Sequence, residues 1–413
     1  MSAAPSPSSA SSSTQPGVTS VRRNLAANFL GSAWISLLSL GLVPIYIHFL
    51  GIEAYGLIGI FVALMGLLAL LDLGLSSTVN RETARLVVRE DTAQDLRDLV
   101  RTLELPYWGA GALIAAVVVA ASPFLAYRWV QPESLAPETV LTAFIIMGLS
   151  IAFQWPLGFY AGGLVGLQRQ VLLNWINVGM ATLRGLGALT VLWLVSPTPE
   201  AFFLWQGGVS AAQTALTAAL LWRSLPLGSR RARFSVDALK SVWRFAAGVT
   251  GIAVVTTVLI QADKVILSRM LSLEGFGYYV LAGAVALALN RLTGPVYQAV
   301  YPRLTNLVEL GATDELARLY HRSAQLLSVA VLPAAAVLAL NSYDILLLWT
   351  QNAETAENAH VLVSILVTGT ALNALMHTPY ALQLASGWTR LALVANIIAV
   401  VLLVPLMIVL ASQ

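Results

Sequence analysis

Three cations lie inside long apolar stretches of this sequence, where charged side chains are rare. Arg184 and Arg291 fall near the middle of their stretches, and Lys264 lies a few residues from the end of a third. A charged group at the centre of a membrane span costs about 2.5–3.5 kcal/mol on insertion scales, so it usually faces a polar cavity or a partner. These positions indicate that the chain binds an anion in a cavity, with structural pairing between helices as the alternative.

Polar and small side chains share helical faces with these cations, at the spacing that brings side chains to one side of a helix. The three faces carry Asn290, Arg291, Gly294 and Gln298; Thr250, Thr257, Gln261 and Lys264; and Asn24, Asn28, Ser32 and Ser36. The alternative for Lys264 is that its side chain reaches the water at the membrane surface. The alternative for the face with Ser32 and Ser36 is close packing against another helix. The predicted lining of the substrate cavity is Arg291, Lys264, Arg184, Gln298, Gln261 and Asn28.

Two titratable residues are candidates for ion or proton coupling. Asp72 ends the second apolar stretch close to Arg81 and Arg85, so we expect an interfacial salt bridge, with ion coupling as the alternative. His377 lies on the tenth stretch, and an imidazole titrates near neutral pH. His377 is therefore a candidate for proton coupling.

No catalytic constellation accompanies these residues in the sequence. The four His residues lack metal-ligand spacing, no glycine-rich phosphate loop follows a strand pattern, and no Gly-x-Ser-x-Gly motif occurs. The sequence contains no Cys, which removes thiolate metal sites and cysteine nucleophiles. The prediction is a protein that is not an enzyme and needs no metal or cofactor.

The elements that position these residues are membrane spans. Of 413 residues, 58% are hydrophobic and 10% are charged, whereas soluble domains carry about 25% charged residues. Stretches of about twenty mostly apolar residues, the length that crosses a bilayer, predict an all-α integral membrane protein with about eleven transmembrane helices. They are Asn28–Phe49, Ala54–Leu75, Pro106–Val130, Val140–Gly166, Leu172–Val195, Ala201–Trp222, Phe245–Leu267, Phe276–Val300, Ala324–Leu340, Val361–Leu384 and Leu391–Leu410.

The basic residues predict the orientation of these spans. Most of the 23 Lys and Arg residues fall before the first span or in alternate loops, and such residues stay on the cytoplasmic side. Residues 1–21, rich in Ser, Ala and Pro, lack the features of a signal peptide and are predicted to form a disordered cytoplasmic tail. We therefore expect a multi-pass bacterial inner-membrane protein with a cytoplasmic N-terminus. The net charge of +3 indicates no nucleic-acid-binding face.

Three regions recur with one common displacement of 221 residues. Leu50–Gly56 resembles Leu271–Gly277; Thr92, Arg97 and Arg101 correspond to Thr313, Arg318 and Arg322; and Gly166 and Arg169 correspond to Gly387 and Arg390. A shared displacement indicates a duplicated unit, and six spans per unit make the copies parallel repeats.

The duplication predicts two lobes. Residues 22–235 form an N-lobe with six spans, and residues 236–413 form a C-lobe with five. The counterpart of the sixth span would lie beyond Gln413. The second copy then lacks its last helix, either because the protein is naturally short or because the chain is incomplete, and we favour incompleteness.

Charged segments beside the third and ninth spans carry an apolar face. Arg85–Glu104 places Leu96, Leu99, Val100 and Leu103 opposite its charges, and Thr305–Arg322 is its counterpart in the repeat. We expect interfacial helices, with a charged cytoplasmic linker as the alternative.

Several short motifs together resemble a known family. They are Pro44, Leu50-Gly51, Tyr55-Gly56-Leu57, Asp72-Leu73-Gly74-Leu75 and Arg81 in the first half, and Asp263-Lys264, Gly277-Tyr278-Tyr279 and Pro302 in the second. They are similar to the O-antigen type lipid-linked oligosaccharide flippases of the multidrug/oligosaccharidyl-lipid/polysaccharide exporter superfamily. The resemblance implies two six-helix lobes around a central cavity.

The resemblance also implies a cargo: a polyprenyl diphosphate carrying an oligosaccharide, moved from the cytoplasmic to the periplasmic leaflet by alternating access for surface polysaccharide biosynthesis. Membrane lipids and polysaccharide polymerase or export proteins are the implied partners. Under this hypothesis Arg291 binds the diphosphate with Lys264 and Arg184, while Asn28, Gln261 and Gln298 contact sugar hydroxyls.

Three other functions are alternatives: a cation-coupled multidrug exporter, a lipid II flippase, and a membrane scaffold that transports nothing. Exporters of cationic drugs favour acidic cavities, whereas the central charges here are Arg184 and Arg291. The charge of the predicted cavity therefore favours an anionic cargo.

Overall fold

The computed structural model describes residues 18–72, 75–87, 92–236 and 257–411, and every regular element in these ranges is a helix. The predicted all-α membrane fold is confirmed. Among the described helices, seven are long and apolar enough to cross a membrane, and Leu30–Gly41 and Val394–Leu410 are shorter apolar helices. The number of spans, about eleven, stays a prediction. Residues 237–256, which include the start of the predicted seventh span, lie outside the described ranges.

The helices are numbered in chain order. They are α1 (Val18–Gly41), α2 (Val43–Leu68), α3 (Leu75–Leu86), α4 (Ala93–Phe124), α5 (Pro137–Gln154), α6 (Leu157–Gly166), α7 (Gln170–Leu194), α8 (Pro199–Ser224), α9 (257–270), α10 (Leu273–Ala288), α11 (Asn290–Glu309), α12 (Thr313–Leu340), α13 (Ser342–Thr350), α14 (Ala353–Leu375), α15 (His377–Ala385) and α16 (Thr389–Ala411). A 3₁₀ turn, Ala69–Asp72, follows α2, and a π-helical turn, Leu125–Trp129, extends α4.

Gly51 and Pro156 set two of the breaks. The first span runs from α1 into α2, because Leu42 donates to the carbonyl of Leu38 and accepts from Tyr46. It ends at Gly51, whose φ of 82° is readily adopted only by glycine, between the predicted spans Asn28–Phe49 and Ala54–Leu75. The predicted span Val140–Gly166 consists of two helices, α5 and α6, because Pro156 has no N–H to continue the ladder.

The prediction of a separate interfacial helix at Arg85–Glu104 is wrong, because the described parts of this segment belong to α3 and α4. α3 ends at Leu86, residues 88–91 lie outside the described ranges, and α4 runs unbroken from Ala93 through Pro106 into the membrane span. Its apolar face is covered by protein rather than by lipid, since Leu96, Leu99, Val100 and Leu103 are buried with residues of α6 and α8. In its described part, residues 93–104, the segment is not the charged cytoplasmic linker of the alternative either, because it is helical and packed. The predicted counterpart, Thr305–Arg322, is likewise not a separate helix. It is divided between the end of α11 at Glu309 and the start of α12 at Thr313.

The two halves of the chain meet at α2 and α10. Three glycines allow this approach: a Cβ on Gly56 would meet the carbonyl oxygen of Leu273, one on Gly277 would meet that of Ile52, and one on Gly59 would meet Val280. Each half also completes the core of the other. Tyr55 is buried among residues of α10, α12 and α14, while Phe276 is buried among residues of α2, α4, α5 and α8.

A second set of contacts ties the same end of the bundle. The buried Glu53 carboxylate, only 4% exposed, accepts hydrogen bonds from the backbone N–H groups of Glu133, Ser134 and Leu135 at 2.5, 2.9 and 2.9 Å and from the Ser134 hydroxyl. The loop before α5 also accepts a hydrogen bond from the second half of the chain, since the Leu273 N–H donates to the Gln131 carbonyl at 2.8 Å. This end of the interface is closed.

Candidate cavity around Arg184

A cavity of about 520 Å³ lies between helices of the first half. Arg184 of α7 enters it between α1, α2, α5 and α8. Most of its lining is apolar or aromatic, and the polar side chains on its wall are few. Its lining includes Ser39, Tyr46, Phe61, Gln154, Arg184, Phe202 and Gln206.

Neutral groups hold the Arg184 guanidinium in place. Nη1 donates to Ser210 Oγ at 3.1 Å and to Gln206 Oε1 at 3.4 Å, and Nη2 donates to Gln213 Oε1 at 3.0 Å. These three partners lie on one face of α8, at i, i+4 and i+7. Among the described residues no carboxylate lies within salt-bridge distance of Arg184, so its positive charge is uncompensated there.

A second layer of amides orients the first. Gln213 Nε2 donates to Asn177 Oδ1 at 3.2 Å, and Ser210 Oγ donates to Gln154 Oε1 at 3.3 Å. The amide oxygen of Gln213 and the hydroxyl oxygen of Ser210 are thereby turned toward the guanidinium. Such a network fixes a cation without neutralising it. The cavity can attract an anion.

Arg291 lies at the edge of the same cavity. Its Nη2 is 3.4 Å from the hydroxyl of Ser39, a lining residue on α1. Arg291 is exposed and makes no ion pair with a described residue. Gln298 lies two turns further along α11, exposed and without a hydrogen bond inside the described ranges. The structure therefore brings Arg291 toward Arg184 but leaves Gln298 apart.

Lys264 belongs to a different cavity. It lines an apolar space of about 300 Å³ on the other side of α2, with Ile60 and Leu64. Its Nζ donates to the Ile260 carbonyl at 3.0 Å and lies 3.5 Å from Asp263 Oδ1. The structure therefore does not bring Lys264 and Arg184 together in one cavity.

Gln261 also leaves the predicted group. Its amide packs closely against Gly66 of α2, and Oε1 is buried without a partner among the described residues. Thr250, predicted on the same face, lies outside the described residues. So does the side chain of Asn28, whose backbone belongs to α1.

The salt bridge expected between Asp72 and Arg81 or Arg85 does not form. Asp72 Oδ1 instead accepts from Tyr107 OH at 2.5 Å and from Ser76 Oγ at 2.7 Å. Both arginines pair with Glu82. Asp72 therefore joins the 3₁₀ turn to α3 and α4.

Among the described residues, the hydrogen-bond partners of His377 are backbone carbonyls only. Its Nδ1 lies 3.3 Å from the Asn373 carbonyl and 3.2 Å from that of Ala374. These carbonyls belong to the preceding helix, α14. Tyr297 of α11 lines the same small space as His377, but no hydrogen bond joins the two side chains among the described residues. Proton coupling by His377 stays a prediction.

The amide network around Arg184 is the part of the site that sequence reasoning missed. Gln206, Ser210 and Gln213 are polar residues at helical spacing within an apolar span, and that spacing is a readable signal. Gln154 and Asn177 lie on other helices, and nothing in the sequence pairs them with α8. Their role follows only from the packing of α5 and α7 against α8.

Comparisons with known proteins agree with this architecture. Residues 47–352 match the family described as polysaccharide biosynthesis protein, and residues 296–409 match the MatE family. A Shigella flexneri protein to which the role of O-antigen transporter is assigned is 22% identical over 380 residues, which cover 90% of this chain and 86% of that protein.

Solved structures show the same fold. An inward-facing multidrug resistance transporter of the MATE family and the MOP superfamily superposes with a TM-score of 0.66 at 13% identity, covering 92% of this chain and 86% of that one. The MATE multidrug transporter DinF-BH superposes with a TM-score of 0.60 at 14% identity, covering 94% of this chain and 88% of that one. The family match spans more than half of the sequence. The chain therefore belongs to the polysaccharide biosynthesis protein family and is a multi-pass membrane transporter with the fold of the MOP superfamily.

Proposed function

We propose that this transporter flips a polyprenyl-diphosphate-linked oligosaccharide from the cytoplasmic to the periplasmic leaflet of the bacterial inner membrane, for surface polysaccharide biosynthesis. The observation that carries the proposal is Arg184, a cation that enters a cavity with only neutral partners among the described residues. The Shigella flexneri relative supports the same class of cargo. Polysaccharide polymerase or export proteins would be its partners.

The cargo and the cavity have complementary chemistry. A diphosphate cannot cross hydrocarbon unaided, because burying an unpaired charge is very costly. A guanidinium binds phosphate oxygens through two parallel hydrogen bonds. When a phosphate oxygen arrives, it can replace the Gln206 or Gln213 amide oxygen as the acceptor of an Arg184 N–H group. Arg291, at the cavity edge, adds a second cation on the entry side. Tyr46, Phe61 and Phe202 supply apolar and aromatic surface for sugar rings.

The closed end of the bundle fits alternating access. The contacts of α2 with α10 and of Glu53 with the 133–135 backbone seal the end that our topology assigns to the periplasm. The cytoplasmic N-terminus and the two lobes, 22–235 and 236–413, are part of this proposal. Transport then requires these contacts to separate while the opposite end closes.

The test compares arginine variants in a strain deleted for the gene. Arg184→Gln keeps hydrogen bonding and removes the charge, Arg184→Lys keeps the charge, and Arg128→Gln changes an exposed arginine outside the cavity. The readout is the fraction of lipid-linked oligosaccharide open to a membrane-impermeant oxidant in spheroplasts, with protein level measured in the membrane.

We expect Arg184→Gln to lower translocation about tenfold or more, since a hydrogen-bonded charge contributes about 1.5–3 kcal/mol. Arg184→Lys should keep part of the activity, and Arg128→Gln should match the wild type. Wild-type translocation by Arg184→Gln would refute the role of the cavity. Normal glycan export in the deletion strain, together with sensitivity to cationic dyes, would replace the flippase with a drug exporter.

A further inference from the structure

Three arginines converge on a pocket at the opposite end of the molecule from the closed interface. Arg303 of α11 and Arg318 and Arg322 of α12 line a space of about 430 Å³. Asn306 and Glu315 are its other polar residues, and Leu307 and Leu319 form an apolar part. With one carboxylate to three guanidinium groups, the lining carries an excess of positive charge.

The three arginines of this pocket are exposed and have no carboxylate partner among the described residues. Within the described residues none of the three takes part in an ion pair, and Glu315 also takes part in none. All three side chains are exposed. Three like charges around one volume repel one another, and a bound anion relieves that repulsion.

The corresponding arginines of the first half, Arg97 and Arg101, have partners within the protein. Arg101 pairs with Glu104 at 2.7 Å. Arg97 donates to the Pro226 carbonyl at 3.2 Å and stacks over the Trp222 ring. In the second half, the position displaced by 221 residues from Glu104 is Gln325, which cannot supply this charge. The α11–α12 pocket therefore lacks the ion pair that Arg101 makes with Glu104 in the first half.

We propose that the α11–α12 pocket binds the phosphate headgroup of an anionic phospholipid. Guanidinium forks match phosphate oxygens, and basic pockets between membrane helices on the cytoplasmic side bind such headgroups. Leu307 and Leu319 supply a surface for the glycerol and the first acyl carbons. The lipid would hold α11 against α12 and is distinct from the transported cargo.

The test measures stabilisation of the purified full chain in detergent micelles. The additives are cardiolipin, phosphatidylcholine and inorganic pyrophosphate, and the readouts are the shift in thermal unfolding midpoint and retained lipid by native mass spectrometry. The variants are the double variant Arg318→Gln/Arg322→Gln, the single variant Glu315→Gln, and Arg169→Gln, an exposed arginine outside the pocket. Glu315→Gln keeps the test informative if the double variant fails to fold.

We expect cardiolipin to stabilise the wild type and Arg169→Gln equally. Its apparent affinity should fall about fivefold for each arginine lost and rise about fivefold in Glu315→Gln, because each charge near a membrane surface changes lipid attraction by about that factor. Equal cardiolipin shifts in wild type, the double variant and Glu315→Gln would overturn the proposal. Stabilisation by pyrophosphate but not by cardiolipin would assign the pocket to a soluble diphosphate and overturn the lipid assignment.

Discussion

Gly56 and Gly277 make reciprocal contacts across the interface between the two halves of the chain. The space that a Cβ on Gly56 would fill lies 2.6 Å from the Leu273 carbonyl oxygen, and the corresponding space on Gly277 is closed by the Ile52 carbonyl oxygen. Both pairs are related by the displacement of 221 residues found in the sequence. Reciprocal contacts of this kind are what a two-fold axis along the membrane normal would produce.

Gly56→Ala and Gly277→Ala should each loosen this closed end. A methyl group would press on a backbone carbonyl, and overpacking of this kind typically costs about 1–3 kcal/mol. Because the sequence has no Cys, Gln131→Cys/Arg269→Cys adds one pair of thiols, at residues whose side chain and backbone lie 3.4 Å apart. We expect cross-linking by a short bis-maleimide to decrease in both alanine variants.

Gly283→Ala is the matched control for this prediction. It lies on α10, and nothing lies within 4 Å of its added Cβ. The substitution should leave cross-linking unchanged and stabilise the helix by up to about 1 kcal/mol. A similar loss of cross-linking in Gly283→Ala would show that the effect does not come from the carbonyl contacts.

Glu53→Gln should destabilise the external loop. The carboxylate accepts three backbone N–H groups, and an amide would turn an NH₂ group toward some of these donors. We expect a loss of about 2 kcal/mol, seen as a lower thermal unfolding midpoint and faster hydrogen exchange in residues 133–135. Glu133→Gln, an exposed change in the same loop, should have little effect, and equal effects would contradict the prediction.

Asp72 and Tyr107 should be energetically coupled. Their hydrogen bond of 2.5 Å joins the end of the second span to α4. A double-mutant cycle of Asp72→Asn and Tyr107→Phe, followed by thermal unfolding, should give a coupling of about 1–3 kcal/mol. Tyr127→Phe, at an exposed tyrosine, should add independently to Asp72→Asn. Simple additivity of Asp72→Asn with Tyr107→Phe would disprove the coupling.

Asp98→Asn should release the segment that follows α8. Asp98 pairs with Arg230 at 2.6 Å and accepts from Arg233 N–H at 2.8 Å. We expect trypsin to cleave after Arg230, Arg231 and Arg233 several times faster in this variant, since cleavage follows local opening. The control is Asp95→Asn, an exposed change one turn earlier. Unchanged cleavage in Asp98→Asn would mean that other contacts hold the segment.

Hydrophobic patterning predicted the fold class and an interruption between Phe49 and Ala54, where Gly51 breaks the helix. Arg184 stood out because a charge within an apolar stretch is costly wherever the helix lies. The continuity of α4 was missed because an apolar stripe beside charges can face lipid or protein, and only the positions of α6 and α8 distinguish the two.

The structure places Lys264 and Arg184 in separate cavities, which the sequence could not show for a similar reason. Periodicity shows which residues of one helix share a face, but not which cavity that face meets. The two cations lie on opposite sides of α2, and that fact depends on how α9 packs. The partner of Asp72 could not be predicted either, because Tyr107 is distant in sequence. The neighbouring arginines, Arg81 and Arg85, form ion pairs with Glu82 instead.

The exchange of Tyr55 and Phe276 between the two cores has a consequence for biogenesis. Tyr55 is buried by residues from 278 onward, which the ribosome reaches roughly 10–40 s later at typical synthesis rates. During that interval the first helices are inserted with one face of α2 uncovered by its partner. A chaperone or insertase that shelters this face should therefore bind the nascent chain until α10 enters the bilayer and be released when α14 follows.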